Sequence, residues 1–109
     1  MKIIQDGVCV FSNVRRADSF FPRFRGFMLR KRPGEQEGIL LENCGRVHTH
    51  FMRFVMDAVY LSADMTVLCC ETIAPWRIGK KVEGAYHVLE LAGGEGGRLN
   101  VGSKIEFSE

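Results

Sequence analysis

The sequence predicts one mainly β domain, a small antiparallel β-barrel or sandwich of about seven short strands with one short helix near residues 19–30. Its 109 residues suit a single domain and are enough to bury a hydrophobic core without cross-links. The hydrophobic fraction of 46% and the charged fraction of 26% are typical of globular proteins and exclude a disordered or fibrous chain. Short β-branched and aromatic runs separated by turn residues favour antiparallel strands over alternating strands and helices.

The first third of the chain predicts two strands and the helix. Gly7–Phe11 and Gly38–Leu41 are rich in β-branched or aliphatic residues, and the second run follows the turn-like Pro33-Gly34 pair. Between these strands, phenylalanines recur at helical spacing after a capping residue, either Asp18 or Ser19. The resulting stripe, which should face the core, consists of Phe20, Phe24 and Phe27.

The rest of the chain predicts further strands. Each run is apolar or β-branched and is bounded by turn residues such as Ala63-Asp64, Pro75 and the glycines after Ala92. The predicted strands span residues 47–51, 55–61, 66–73, 86–91 and 104–107. Because no internal repeat or linker-length tract divides the chain, we expect a single domain over residues 1–109.

Positive charge is concentrated in one segment. Residues 15–32 contain seven basic side chains and one acid, Asp18, for a net charge of +6, whereas the whole chain carries only +2. Such a segment can attract anionic partners. Arginines interleaved with aromatic rings also occur in nucleic-acid-binding proteins, but the helical spacing of the phenylalanines favours core packing. Nucleic acid is therefore not the expected partner.

The sequence predicts a cytoplasmic protein. Its beginning shows no basic region followed by an apolar stretch, and no run approaches the ~20 apolar residues of a membrane span. Cys69 and Cys70 are adjacent, while Cys9 and Cys44 are isolated. We expect buried thiols in a reducing compartment rather than a disulfide framework.

A histidine pair provides the candidate metal site. Side chains alternate along a strand, so His48 and His50 would lie on one face, and Cys44 would join them if the strand began early without a bulge. Imidazole nitrogen and thiolate sulfur suit divalent transition metals such as Zn(II) and Fe(II), or copper. In the alternative, both histidines are hydrogen-bonded strand residues without a metal. A further ligand would come from Asp57 or His87.

Two acidic residues lie inside apolar runs and therefore need partners. Asp57 is flanked by apolar residues on both faces of its strand, so an ionised carboxylate there must be paired or hydrogen-bonded. Arg25, Arg53 or backbone N–H groups would serve, and the role would then be structural. Glu90 lies in a similar run and is open to the same interpretation. In the alternative, these carboxylates bind a ligand or act as a general base in one cavity.

No motif completes a catalytic constellation. The glycine-rich segment after Ala92 lacks the Lys-Ser/Thr of a phosphate-binding loop. Neither Cys44 nor the Cys69-Cys70 pair is accompanied by a motif that would orient a histidine or form an oxyanion hole. An enzyme is therefore less expected than a binding protein.

Several short motifs, taken in order, make the sequence resemble the domain of unknown function 192 family. They are Arg25-Gly-Phe-Met28-Leu-Arg30, Gly38-Ile-Leu-Leu41, His48-Thr-His50-Phe-Met52-Arg-Phe-Val-Met-Asp57, Pro75, Tyr86-His-Val-Leu-Glu90-Leu-Ala-Gly93 and Gly102. Their order covers nearly the whole chain. The resemblance implies a compact, mainly β domain with a short helix near the first motif, and it implies no established activity.

The sequence departs from the family pattern in two places. Many relatives carry an export signal or a lipoprotein anchor, which this sequence does not show. Many have Trp-Met-Lys-Asn-Thr where this chain has His48-Thr-His50-Phe-Met52-Arg, so a histidine-centred mechanism is not a property of the whole family. The matched residues Met28 and Met52 would fill core space or, beside His50, bind Cu(I).

The leading functional hypothesis is a small binding module. It would accept a small ligand or a metal ion near His48, His50, Asp57 and Glu90, with Arg25 as a further ligand-binding residue. The alternative is a metal-dependent hydrolase, lyase or isomerase with His48 and His50 as metal ligands. A third hypothesis is that the basic segment 15–32 binds an anionic partner.

Overall fold

The computed structural model describes residues 1–16, 32–49 and 52–109. In this part of the chain, eight strands form two sheets, and one 3₁₀ turn spans Gly96–Arg98. The strands are β1 (Lys2–Gln5), β2 (Val8–Phe11), β3 (Asn13–Arg16), β4 (Glu37–Leu41), β5 (Met56–Leu61), β6 (Val67–Ile73), β7 (His87–Ala92) and β8 (Glu106–Ser108).

The larger sheet has five strands in the order β3-β4-β7-β5-β6. All neighbouring pairs are antiparallel except β3 and β4, which are parallel. Every residue of β5 and β7 is buried, because these strands lie inside the sheet and are covered on both faces. That position explains why both sequences are nearly continuous apolar runs.

The smaller sheet has three antiparallel strands in the order β2-β1-β8. The β1–β2 hairpin turns at Asp6 and Gly7, which both have positive φ, 52° and 78°. A two-residue turn with this geometry matches the twist of the paired strands, and aspartate and glycine tolerate it best. Strand β8 pairs with β1, so the first and last strands of the fold are adjacent.

The core lies on both faces of the larger sheet. On one face, Val59 and Leu61 of β5 pack in a cluster with Ile3 and Phe11 of the smaller sheet. On the other face, a second buried cluster joins Met56, Ala58 and Tyr60 to the loops that cover the sheet. The loop residues of this cluster are Val47, Met52 and Phe54.

The predicted mainly β class, with a barrel- or sandwich-like arrangement, is confirmed. The two sheets of the described residues pack against each other and do not close into a barrel. Strands β2, β4, β5, β6, β7 and β8 fall at or near predicted positions, whereas β1 and β3 were not predicted. The predicted strand at 47–51 is only a β-bridge between His48 and Ile78 in its described part. The predicted helix near residues 19–30 lies outside the described residues.

Candidate functional site

Asp57 is buried near the start of β5, with 2% of its surface exposed. Its Oδ1 accepts a hydrogen bond of 2.7 Å from the Thr72 hydroxyl. Its Oδ2 accepts backbone N–H bonds from Gly94 and Gly96, at 3.0 and 2.7 Å. Such donors stabilise a carboxylate through hydrogen bonds alone. Of the partners considered from sequence, backbone N–H groups are the ones present here, while Arg25 lies outside the described residues.

The thiol of Cys70 lies beside this carboxylate. Although Cys70 is exposed as a residue, a Cβ on Gly96 would overlap its sulfur and would stand 2.9 Å from Oδ2 of Asp57. Burial of the sulfur, the charge of Asp57 and a hydrogen bond to Asp57 raise the pKa of the Cys70 thiol from 9.0 to about 11. The thiol is therefore neutral at physiological pH and is a poor nucleophile.

Glu90 lies on the opposite face of the larger sheet from Asp57. In β7, Glu90 is in register with Ala58 and Ile39, whereas Asp57 is in register with Leu91. Neighbouring residues of a strand point to opposite faces. The structure therefore does not bring the two carboxylates into one cavity, and Glu90 is 3% exposed among the residues of the second core cluster.

A buried tyrosine fixes the loop that covers this second face. The Tyr60 hydroxyl donates to Oε1 of Glu71 at 2.8 Å, and the same oxygen accepts the backbone N–H of Lys80 at 3.0 Å. Burial and the carboxylate of Glu71 raise the pKa of Tyr60, so its hydroxyl stays protonated. Arg46 donates to the carbonyl of Gly79 at 2.9 Å. These contacts hold residues 79–80 against the sheet.

The predicted metal ligands are dispersed where the structure describes them. His48 is half-buried and is bridged to Ile78. The Cys44 thiol donates to the carbonyl of Arg46 at 3.0 Å. His87 is in register with Leu61, on the face opposite to the loops, and its Nδ1 accepts the N–H of Asn43 at 3.2 Å. These three side chains therefore do not meet.

The second histidine of the pair, His50, lies outside the described residues. Among the residues described, no group of three or more histidine, cysteine, aspartate or glutamate side chains is placed to hold a metal ion. A metal site built on both histidines stays a prediction from sequence.

Thr49, between the two histidines, joins two loops at one end of the larger sheet. It is fully buried. Its N–H donates to the carbonyl of Arg77 at 2.7 Å, and its own carbonyl accepts the N–H of Trp76 at 2.9 Å. Its hydroxyl accepts the N–H of Arg77 at 2.7 Å and donates to the carbonyl of Ala74 at 2.6 Å. All of its polar groups thus fix the turn at residues 74–77.

Trp76 is held in a left-handed backbone conformation, with φ at 62°. For a bulky residue this conformation costs about 1–2 kcal/mol, and the Thr49 contacts offset that cost. Trp76 is nevertheless 54% exposed. Residues held under strain concentrate at functional sites, so this turn is a candidate binding element.

Basic and apolar residues lie near the Trp76 turn, since the Thr49 carbonyl that accepts the Trp76 N–H also accepts the N–H of Met52 at 3.1 Å. Residues Met56, Ile73 and Ala92 are in register at this end of the larger sheet. Close by, the N–H of Gly93 donates to the carbonyl of Val55 at 3.1 Å, and Arg32 donates to the carbonyl of Gly93 at 3.0 Å. We define the Trp76 surface as the exposed residues Arg32, Arg53, Val55, Trp76, Arg77 and Ile78.

Sequence reasoning singled out His48 and Arg32 but missed the importance of Thr49 and Trp76. The Pro75-Trp76 pair carried a signal, since a proline followed by the only tryptophan of the chain marks a turn with a large exposed ring. The role of Thr49 had no local signal, because its partners are 25 to 28 residues away.

Fold and site together define a class of protein: a small two-sheet β domain with a loop-built surface at one end of its larger sheet. The chain belongs to the DUF192 family, described as "Uncharacterized ACR", whose model matches residues 1–107. The predicted family resemblance is therefore confirmed.

Relatives from archaea carry the name of the same uncharacterised family. The chain is 35% identical over 100 residues to a UPF0127 protein of Pyrococcus abyssi (strain GE5 / Orsay), a match that covers 86% of this chain and 85% of that protein. It is 32% identical over 100 residues to a UPF0127 protein of Pyrococcus furiosus, covering 87% of this chain and 86% of that protein.

Two crystal structures share the fold. One is a protein of unknown function from Novosphingobium aromaticivorans DSM 12444, with a TM-score of 0.76, 19% identity, and coverage of 86% of this chain and 74% of that one. The other, from Sinorhizobium meliloti 1021, is provisionally described as a transcription regulator; it has a TM-score of 0.75, 23% identity, and coverage of 85% and 79%. In the described residues, no helix is long and apolar enough to cross a membrane.

Proposed function

We propose that this chain is a non-enzymatic binding module that holds, on the Trp76 surface, a ligand with both a negative charge and an apolar part. The observation that carries the proposal is the buried Thr49, which holds Trp76 at a φ of 62° while Trp76 is 54% exposed. A strained backbone that presents a large exposed ring is expected where that ring contacts a ligand.

The charge of the surface supports an anionic ligand. Arg32, Arg53 and Arg77 are all exposed at this end of the sheet. The acid of the adjoining turn, Glu95, is already paired with Arg98 at 3.2 Å. Guanidinium groups bind phosphate and carboxylate oxygens through two parallel hydrogen bonds. The apolar part of the ligand would contact Trp76 and its aliphatic neighbours.

The proposal keeps part of the site predicted from sequence. His48 lies next to Thr49 and is bridged to Ile78, and His50 keeps its predicted place as a ligand-binding residue. Arg32 belongs both to the Trp76 surface and to the predicted basic segment 15–32. Asp57 is left out, because its two oxygens already accept hydrogen bonds from three donors.

A cytoplasmic location is part of the proposal. All four cysteines are free thiols in the structure, and Cys9 is exposed. Exposed thiols persist in a reducing compartment, whereas secreted domains of this size usually pair them.

Trp76 offers a direct test because it is the only tryptophan in the chain. Its fluorescence would be titrated with octyl phosphate, which has a charge and an apolar tail, beside inorganic phosphate and octyl glucoside, which each have one of the two. We expect a saturable change with octyl phosphate at the lowest concentration. Arg77→Gln should weaken this binding by about tenfold, since a charge-assisted hydrogen bond is lost.

The matched control is Lys104→Gln, an exposed residue beside Thr66 at the opposite end of β6, which should bind octyl phosphate as the unmodified chain does. An Arg77→Gln variant that titrates like the unmodified chain would contradict the proposal. So would equal responses to the three probes.

A further inference from the structure

We infer that the occupant of the Trp76 surface is an anionic phospholipid bilayer, to which this end of the domain binds peripherally. The inference rests on the proposed function. The lipid headgroups supply the negative charge of the ligand, and the acyl chains supply its apolar part. It requires no membrane-spanning segment, because only exposed loop side chains enter the lipid.

The apolar residues of the surface favour lipid over nucleic acid. Val55, Trp76 and Ile78 are 43%, 54% and 62% exposed. A base can stack on the indole ring, but the aliphatic side chains of Val55 and Ile78 offer no ring for stacking. The transfer of all three side chains from water into a bilayer is favourable, and tryptophan favours the boundary between headgroups and acyl chains. A lipid surface as the partner thus accounts for the exposure of both aliphatic and indole side chains.

The basic residues complement an anionic membrane. Arg53, Arg77 and Arg32 lie at the same end of the sheet as the apolar side chains, so they would meet the phosphates while those side chains enter the acyl region. Basic residues close to a membrane that contains anionic lipids each add to its affinity for that membrane. Arginine suits the contact because its planar group can bind two phosphate oxygens at once.

Contacts within the protein fix the loops of the Trp76 surface before a ligand binds. Thr49 fixes the Trp76 turn, the bridge to His48 fixes Ile78, and the bond from Gly93 fixes the backbone of Val55. Apolar groups on fixed loops lose little conformational entropy when they bind, which favours association.

The opposite end of the larger sheet provides a natural comparison. Val101 is 68% exposed there, and Lys104 is exposed as well. Hydrogen bonds from Ser62 and Thr66 lower the pKa of the nearby Asp64, and the charge of Lys104 adds to this effect. Val101 and Lys104 therefore form a comparison site in which an exposed apolar residue lies near a lysine that has an acid beside it, and their replacement should not affect binding to an anionic bilayer.

The test is vesicle binding by the full chain, measured by co-sedimentation and by Trp76 fluorescence. The vesicles contain phosphatidylglycerol mixed with phosphatidylcholine, beside vesicles of pure phosphatidylcholine. We expect binding to the anionic vesicles with a blue shift of Trp76 emission, and quenching by lipids brominated in the acyl chains. Added salt should weaken the binding.

Paired variants locate the contact. Arg77→Gln with Ile78→Ser should lower the partition coefficient by about tenfold or more, since one charge and one apolar side chain leave the contact. The matched pair Lys104→Gln with Val101→Ser should change it less than about twofold, because neither residue belongs to the Trp76 surface. Circular dichroism would confirm that both variants are folded.

The outcomes separate the inference from the proposed function. Binding of octyl phosphate without binding of anionic vesicles would overturn the inference and leave the proposed function intact. The same holds if a single-stranded oligonucleotide binds and the vesicles do not. Vesicle binding that is equally weakened by the two paired variants would also overturn the inference. If octyl phosphate, oligonucleotide and vesicles all fail to change Trp76 emission, the proposed function fails as well.

Discussion

Asp57 shows how a buried carboxyl group obtains its hydrogen-bond partners from the backbone. Its carboxylate receives one hydroxyl and two backbone N–H donors. A hydrogen bond to a charged group contributes about 1.5–3 kcal/mol, so three of them offset a desolvation cost of several kcal/mol. Asp57 thereby anchors the turn after β7, and together with burial of the sulfur, which has the larger effect, its carboxylate raises the pKa of the neighbouring Cys70 thiol.

Cys70 is expected to be a slow nucleophile in the folded protein. At pH 9, a thiol with a pKa of about 11 is almost entirely protonated, whereas one with the ordinary value of 9.0 is half ionised. The thiolate fraction is therefore roughly 50-fold lower in the folded state. We predict that iodoacetamide labels Cys70 at least about tenfold more slowly in the folded protein than in urea, measured by peptide mass spectrometry.

The control for this prediction is Asp57→Asn, which removes the charge next to the thiol and should speed labelling. The raised pKa also favours the folded state at lower pH. This contribution is fully present below pH 9 and is lost as the pH rises from 9.0 toward 11. Labelling of Cys70 at equal rates in the folded and unfolded protein would contradict the assignment.

At the residue scale, the sequence predicted that Asp57 requires hydrogen-bond or ionic partners, but it did not determine which groups supply them. The apolar context of Asp57 showed that its charge must be satisfied, and backbone N–H groups were among the alternatives. The choice depended on Gly94 and Gly96, which are 37 and 39 residues further along the chain. Thr49 was overlooked for the same reason, since its contacts form only when two distant loops meet.

At the scale of elements, the turn from Ala92 to Arg98 depends on glycine at particular positions. Gly94 has a φ of 94°, a conformation that side chains disfavour. Gly96 has no room for a Cβ, because a Cβ there would overlap the sulfur of Cys70 and would stand 2.9 Å from Oδ2 of Asp57. This close approach allows the Gly96 N–H to reach Asp57.

Gly96→Ala is predicted to lower the free energy of unfolding by about 1–3 kcal/mol, because the added methyl group overpacks the site. Adding Cys70→Ala should restore part of the loss, since it removes the sulfur that the methyl group would meet. A double-mutant cycle measured by urea denaturation gives the coupling between the two changes.

The matched control is Gly97→Ala, at the next position of the same turn. A Cβ on Gly97 would have no neighbouring atom within 4 Å, so this change should leave the stability nearly unaltered. If Gly97→Ala lowers the free energy of unfolding as much as Gly96→Ala does, steric overlap with Cys70 is not the cause of the destabilisation.

Strands with strong apolar patterns were predictable, and strands that depend on their neighbours were not. Strand β5 and strand β7 are long apolar runs, and both were predicted. Strand β3 reads Asn-Val-Arg-Arg and has one buried residue, so its sequence carries no apolar alternation. It forms because it pairs with β4. Residues 47–49 show strand-like alternation, but the polar groups of Thr49 bond to the turn at 74–77 instead.

At the scale of the molecule, Arg98 ties the smaller sheet to the rest of the domain. Its guanidinium lies 4.4 Å from the centre of the Phe11 ring and donates to the carbonyl of Val10, both in β2. It also donates to the carbonyl of Glu35 at 2.7 Å, just before β4. One side chain thus contacts segments from both sheets.

Arg98→Ala should lower the free energy of unfolding by about 2–4 kcal/mol, because several charge-assisted hydrogen bonds and a cation–π contact are lost together. Arg98→Lys should recover little of this, since an ammonium group cannot reproduce the planar fork of donors. Urea denaturation of both variants tests the prediction.

Arg16→Ala is the matched control, because Arg16 forms an ion pair with Glu42 at 2.6 Å on the surface, where its side chain is 45% exposed. Such a pair contributes about 0–1 kcal/mol. An Arg98→Lys variant as stable as the unmodified chain would contradict the prediction, because the positive charge alone would then account for the stabilisation by Arg98.

The fold class followed from composition and from the spacing of short apolar runs, and the family followed from the order of short motifs. Strand order was not readable, because it depends on which distant strands meet. The pairing of β1 with β8, for example, joins Lys2 to Ser108.

The pairing of β1 with β8 determines when the smaller sheet can form during protein synthesis. The β1–β2 hairpin emerges early from the ribosome, but its partner β8 is the last of the described strands to be synthesised. Until then, the smaller sheet is an incomplete two-stranded ribbon, which is marginally stable alone. Ile3 and Phe11, both fully buried in the finished domain, would remain without part of their cover during synthesis. Native packing of the smaller sheet therefore follows translation of all the other described strands.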